Sequence, residues 1–169
     1  MRHSLRWALV LLTLPTALPA SAQTPRFIGT HSDWTVYEVS DSRGKVCYIA
    51  SEPTSQEGNY SRRGNPAALV AQLPGDPPSE QVSVQPGYAY RKDSAVDVKI
   101  EGRDFELFTE GEHAWARTDA DDQALIDAMK RGMRMTVRGT STRGTYSLDT
   151  YSLNGFTAAY EAMRGACRS

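Results

Sequence analysis

Met133, Met135 and Val137 alternate strictly with Arg134, Thr136 and Arg138. A period of two puts one set on a buried face and the other, with its two arginines, in solvent, so these residues read as a half-buried strand. Residues 139–144 turn the chain, and 145–153 form the return strand. The same period, or a short apolar run closed by Gly and Pro, marks strands over residues 34–39, 45–51, 67–73, 81–85, 96–100 and 105–109. Residues 114–116 make a further short strand or strand end. Asp41-Ser42-Arg43-Gly44 supplies a turn that ends in glycine, as type I turns prefer. Residues 23–33 are polar and contain Pro25 and Gly29, which predicts a loosely held arm. Residues 52–66, rich in Gly, Pro, Ser and Asn, predict a long loop.

The period changes to that of a helix in two places. Thr118 or Asp119 can accept first-turn N–H groups, and Asp119, Asp121 and Asp122 suit the positive end of a helix dipole. Ala124, Leu125, Ala128 and Met129 follow at helical spacing, with Lys130 and Arg131 at the other end and Gly132 available for a left-handed stop. A helix over residues 120–131 is expected. Phe156, Tyr160, Met163 and Cys167 then fall on one stripe, which places Cys167 on the buried face of a short C-terminal helix. Roughly eight strands with two helices give an all-β fold with minor α, a β-sandwich or small barrel carrying helical additions.

The N-terminus carries a different signal. Arg2, His3 and Arg6 precede an apolar run over residues 7–14, Pro15 and Pro19 break it, and Ala20-Ser21-Ala22 offers small residues for cleavage between Ala22 and Gln23. Residues 1–22 thus read as a signal peptide and 23–169 as a single mature domain. The apolar run is too short to span a bilayer, and no later segment is hydrophobic enough. No cysteine follows the cleavage site to take a lipid. The mature chain is expected to be soluble in the periplasm, with surface association or secretion as further destinations. Losing Arg2 and Arg6 brings the 19 basic side chains to 17 against 20 acidic ones. That near-balance provides no overall field for nucleic acid, and no such partner is expected.

Two cysteines remain in an oxidising compartment, which favours a Cys47–Cys167 disulfide. A metal pair would need more ligands close by, and a redox pair would usually be CxxC. Chemistry is otherwise sparse. There is no Gly-x-Ser-x-Gly elbow, no HExxH, and no phosphate loop. His31 and His113 read as surface or packing residues. Asp119, Asp121 and Asp122 fail the calcium-loop pattern, because Ala124 and Lys130 stand where glycine and glutamate belong. No catalytic residue, metal site or cofactor is expected. Arg134 and Arg138, with Arg143 in the adjacent turn, form a candidate basic binding surface for a phosphate, glycan or acidic partner.

Trp34-Thr35-Val36, Lys45-Val46-Cys47-Tyr48-Ile49 and Ala128-Met129-Lys130-Arg131-Gly132 occur in an order that resembles the invasion-associated locus B family of exported bacterial proteins. The closing stretch Tyr151-Ser152-Leu153-Asn154-Gly155-Phe156-Thr157-Ala158-Ala159, ending at Cys167, strengthens the resemblance, which runs from Trp34 to Cys167. It implies an immunoglobulin-like β-sandwich in a periplasmic or surface-associated protein, in a family named for host-cell invasion. It brings no catalytic residues. The first functional expectation is a non-enzymatic module that binds a protein or envelope component through residues 52–66 or the Arg134/Arg138 face. A second is a hydrolase using His113, Glu112 and Asp121, and a third is a small-molecule carrier.

Overall fold

A computed structural model describes residues 24–41 and 44–168. The expected signal peptide with its Ala22/Gln23 cleavage point, and the Ser42-Arg43 part of the first turn, lie outside these residues. Eleven strands and two helices are described: β1 (Arg26–His31), β2 (Trp34–Asp41), β3 (Gly44–Ser51), β4 (Ser55–Gly58), β5 (Ala67–Leu73), β6 (Ser79–Gln85), β7 (Ala95–Ile100), β8 (Arg103–Glu110), β9 (His113–Trp115), α1 (Asp119–Arg131), β10 (Arg134–Thr140), β11 (Tyr146–Ser152) and α2 (Phe156–Arg168). All pairings are antiparallel, and the hydrogen-bonded order is β1-β2-β3-β5-β6-β9-β8-β7-β10-β11-β4. The ladder is open, with β1 and β4 as its edges, and its fold is sandwich-like rather than a closed barrel. The β6–β9 junction is held by two residue pairs, Ser83 with Trp115 and Val84 with Ala114.

One core serves both halves of the ladder. It takes Trp34, Val36, Ile49, Val70 and Val84 from one half, and Val98, Ile100, Leu107, Met135 and Tyr151 from the other. The alternation read in the sequence holds in β7 and β10, where successive residues switch between buried and exposed. The two helices lie against this core. α1 packs on β6, and α2 packs mainly on β2 and β3. From α1 come Leu125, Ile126 and Met129, and from α2 Phe156, Ala159, Tyr160 and Met163. The indole of Trp34 meets the Phe156 ring edge-on at 4.9 Å and donates its N–H to the carbonyl of Ser152, so one side chain ties β2 to both α2 and β11.

Thr118 caps α1: its hydroxyl accepts the Asp121 N–H at 3.2 Å and donates to the Asp121 carboxylate at 2.8 Å. The other end differs from the sequence expectation. Gly132 is extended (φ −88°, ψ 164°), and its N–H still reaches the Ala128 carbonyl at 2.9 Å. Glycine is needed here for space, because a Cβ would stand 2.7 Å from Cγ2 of Ile100 and 3.0 Å from Cδ1 of Leu153. Gly155 is a true left-handed glycine (φ 83°), and a Cβ there would collide with the His31 carbonyl. That contact seats the start of α2 against the β1–β2 turn.

Cys47 and Cys167 are bonded as expected, with Cα atoms 5.7 Å apart. Lys45 reinforces the junction by donating its ammonium to the carbonyl of Ala166 at 3.1 Å, near the negative end of α2.

Three sequence readings need correction. The polar stretch 23–33 contains a strand: β1 pairs with β2 from Arg26–Glu38 to His31–Trp34, and Arg26 bonds the Glu38 carboxylate at 2.8 Å. The loop 52–66 contains β4, paired to β11 through Ser55–Thr150 and Gly58–Ser147. With these two, and with 114–116 a strand in its own right as β9, the count of roughly eight rises to eleven. Both missed strands are edges, where backbone pairing suffices and polar side chains are left in water.

Candidate binding site

The segment 52–66 is stitched along β11. Thr54 donates its N–H to the Thr150 carbonyl at 2.7 Å, and the Asn59 amide oxygen accepts the Tyr146 N–H at 2.7 Å. Past these contacts Arg63 turns inward. Its side chain and that of Asp149 are each only 3% exposed, and the two form a two-pronged ion pair, with one N–O distance of 2.8 Å. The same two terminal nitrogens also reach the Pro86 carbonyl at 3.2 Å and the Gln56 side chain at 2.9 Å, the guanidinium lies over the Tyr60 ring at 4.6 Å, and Nε is buried without a hydrogen-bond partner among the described residues. Burial by itself lowers the Arg63 pKa, but the hydrogen bond and charge of Asp149 more than offset this and hold it above the usual value. One guanidinium thus locks the segment to both β11 and the end of β6.

A cleft of about 350 Å³ opens beside this lock. Tyr60, Ser61, Arg62 and Arg63 form one wall, Gly87, Tyr88 and Ala89 the base, and Ser141, Thr142, Arg143 and Thr145 the other wall. Tyr88 shares a 2.7 Å hydrogen bond with Ser147 and packs edge-on against Tyr90, whose centroid lies 5.6 Å away. Burial raises the pKa of Tyr88, and raises Tyr90 and Tyr151 behind it further still. These phenols stay protonated and act as hydrogen-bonding groups, not as bases. The Arg143 turn is ordered by Ser141, whose hydroxyl meets that of Thr145 at 2.6 Å and accepts the Arg143 N–H at 3.2 Å. Arg62 and Arg143 are exposed, and neither has a carboxylate within ion-pair distance among the described residues. Two free cations flanking tyrosine rings and hydroxyls can receive an anionic or glycan-like group.

Of the three arginines proposed from the sequence, only Arg143 lines this cleft. Arg138 lies over the Tyr146 ring at 5.0 Å, and Arg134 borders a separate depression with Lys99, Glu101, Met133 and Thr136. The sequence reading did not find Arg63–Asp149, which joins positions 86 apart. A signal existed, since Asp149 shares the inward phase of Ser147 and Tyr151, and a carboxylate there requires a cation.

The residues considered for hydrolysis lie apart in their bonding. His113 stacks on Trp115 at 5.4 Å, Glu112 is exposed in the β8–β9 turn, and Asp121 is engaged with Thr118. No hydrogen bond or ion pair links the three among the described residues. The acids at the start of α1 also divide. Asp122 turns inward, 6% exposed, and accepts the Val82 N–H at 2.7 Å. Among the described residues no group of three or more His, Cys, Asp and Glu side chains is placed to hold a metal ion. Nor is any described helix long and apolar enough to cross a membrane.

No curated protein sequence matches the chain. The fold is similar to the crystal structure of invasion-associated protein B from Bartonella henselae, with a TM-score of 0.59 at 16% identity, over 87% of this chain and 100% of that one. Residues 34–164 match the family described as "Invasion associated locus B (IalB) protein". This protein belongs to the invasion-associated locus B family.

Proposed function

We propose that the protein is an exported, non-enzymatic binding module of the bacterial envelope that holds an anionic partner in the Tyr60/Tyr88/Arg62/Arg143 cleft. The observation that carries this reading is the pairing of two uncompensated arginines with a rigid support. Arg63–Asp149 fixes one wall, and the Ser141–Thr145 hydroxyl pair fixes the other. A preformed wall avoids the ordering cost that a mobile 15-residue loop would impose on binding. A family associated with invasion suits a protein that works by contact.

The test is photo-crosslinking in cells from position Thr142, with Arg103 on β8 as the control position. Adducts are expected from the cleft position and should disappear in the Arg62→Glu/Arg143→Glu variant. Equal adducts from both positions, or adducts that persist in the variant, would remove the cleft from consideration.

A further inference from the structure

An antiparallel sheet with one face on the core normally turns polar residues to water on the other. The sheet from β2 to β6 does not. Its outward positions alternate with the buried Val36, Ile49, Val70 and Val82. Across residues 35–39, 46–50, 67–73 and 81–85, no outward position carries a charge. β5 is apolar on both sides: Ala68 and Val70 are buried inward, while Leu69, Ala71 and Leu73 stand outward and half-buried. A strand apolar on both faces is the pattern of one covered on both. The helices serve the inward side, where α2 meets Trp34 and Cys47. On the outward side Tyr37 stacks on Tyr48 at 5.2 Å, and Phe27, 59% exposed, meets Tyr37 edge-on at 6.2 Å.

The relief of this face matches itself. Register pairs Tyr48 of β3 with Ala71 of β5, and Ala50 of β3 with Leu69 of β5. At each level one strand offers a large side chain and the other a small one, and the order reverses at the next level. A two-fold axis running along the strands between β3 and β5 lays β3 of one copy over β5 of the other. Tyr48 then enters the gap above Ala71, and Leu69 the gap above Ala50. The second gap is a hollow of about 350 Å³, bordered by Thr35, Tyr37, Ala50 and Ala67. The same rotation carries β2 over β6, which sets the Tyr37 phenol against the Gln81 amide and the Thr35 hydroxyl against that of Ser83.

We propose that this face is the contact between two copies of the chain, packed sheet on sheet about the two-fold axis between β3 and β5. Sheets packed in this way lie about 10 Å apart and within about 30° of alignment, which keeps the central pairs opposed. A charge near the axis would confront its own copy, so an uncharged face is what a two-fold contact requires. The area is sufficient. Five strands from β1 to β6, about 4.8 Å apart and about 24 Å long, cover about 600 Å² in projection, and upright side chains raise the accessible area above that. A standard interface buries about 800 Å² per partner. The face shares no residue with the Arg62/Arg143 cleft, so failure of one reading leaves the other standing.

The experiment is sedimentation equilibrium of the purified mature protein at micromolar concentration, parent and variants side by side. The parent should sediment at twice the chain mass. Tyr48→Lys and Ala71→Glu should each weaken self-association at least tenfold, because each places an unpartnered charge in the contact, while their circular dichroism stays that of the parent. An equal mixture of the two variants should associate again, since the new lysine and the new glutamate meet across the axis. A monomeric parent would overturn the proposal, as would a dimer unmoved by both variants or a mixture no more associated than either variant alone. Co-sedimentation of a monomeric parent with phosphatidylcholine vesicles would assign the face to a lipid surface instead.

Discussion

Replacing Asp149 with leucine would leave the Arg63 guanidinium buried without its counter-charge. Both side chains are 3% exposed, so water cannot take the place of the carboxylate. Removing one member of a buried, hydrogen-bonded pair costs about 3–5 kcal/mol. The Pro86 carbonyl and the Gln56 side chain are the acceptors that remain, and both are neutral. With a urea dependence of about 2 kcal/mol per molar, that loss lowers the unfolding midpoint by about 1.5–2.5 M. Arg63→Met should be comparably harmful, because it strands the carboxylate. The double variant Arg63→Met/Asp149→Leu buries no charge and should recover to within about 2 kcal/mol of the parent. Urea melts of the four proteins complete the cycle. Hydrogen exchange should show β4 losing protection selectively, since Arg63 holds Gln56. A single-variant loss below about 1 kcal/mol, or a double variant as damaged as the sum of the singles, would refute the account.

Three further predictions follow from other contacts. The Cys47–Cys167 bridge spans a sequence separation of 120, so on the chain-entropy model Cys47→Ala/Cys167→Ala should lose up to about 5 kcal/mol. A melting temperature indifferent to reductant would contradict this. Burial above all raises the Asp122 pKa from 3.8 to about 6, so the folded state holds that proton more tightly than the unfolded state does. Its contribution to stability therefore falls as pH rises through roughly 4 to 6 and stays low above that. Asp122→Asn, which keeps an acceptor for the Val82 N–H, should flatten this dependence and gain up to about 3 kcal/mol at pH 7. Urea midpoints across that range decide it, and a less stable variant at pH 7 would refute the reasoning. Finally, Gly132→Ala should cost about 1–3 kcal/mol by crowding Ile100 and Leu153, although its backbone angles suit alanine. An unchanged denaturation midpoint would show that these side chains yield.

What could be read from the sequence is set by where free energy depends on side-chain pattern. Strands β7 and β10 alternate because one face is buried, and α2 carries its stripe because it lies on β2 and β3, so these were readable. Edge strands need no such pattern. β4 reads Ser-Gln-Glu-Gly, exposed throughout, and its backbone pairing with β11 makes it a strand. The binding cleft stayed hidden for a related reason. Arg62 and Arg143 become neighbours of one cavity only after Arg63 has found Asp149 across the fold. Asp122 looked like one more capping acid beside Asp119 and Asp121, and its inward turn depends on Val82, forty positions away.

The bridge between β3 and α2 also determines how the protein would respond to being pulled. If one end is tethered to the envelope and a bound object tugs on the other, the load passes from Cys47 directly to Cys167. Only β1, β2 and the first part of β3 lie in the path of that load. The 22 described residues outside the bridge can then be drawn out, a length of about 75 Å at full stretch. The arginine cleft lies within the covalent loop, sheltered from tension. An anchored adhesive contact built this way could be strained hard at its ends and still present an unaltered surface to whatever it holds.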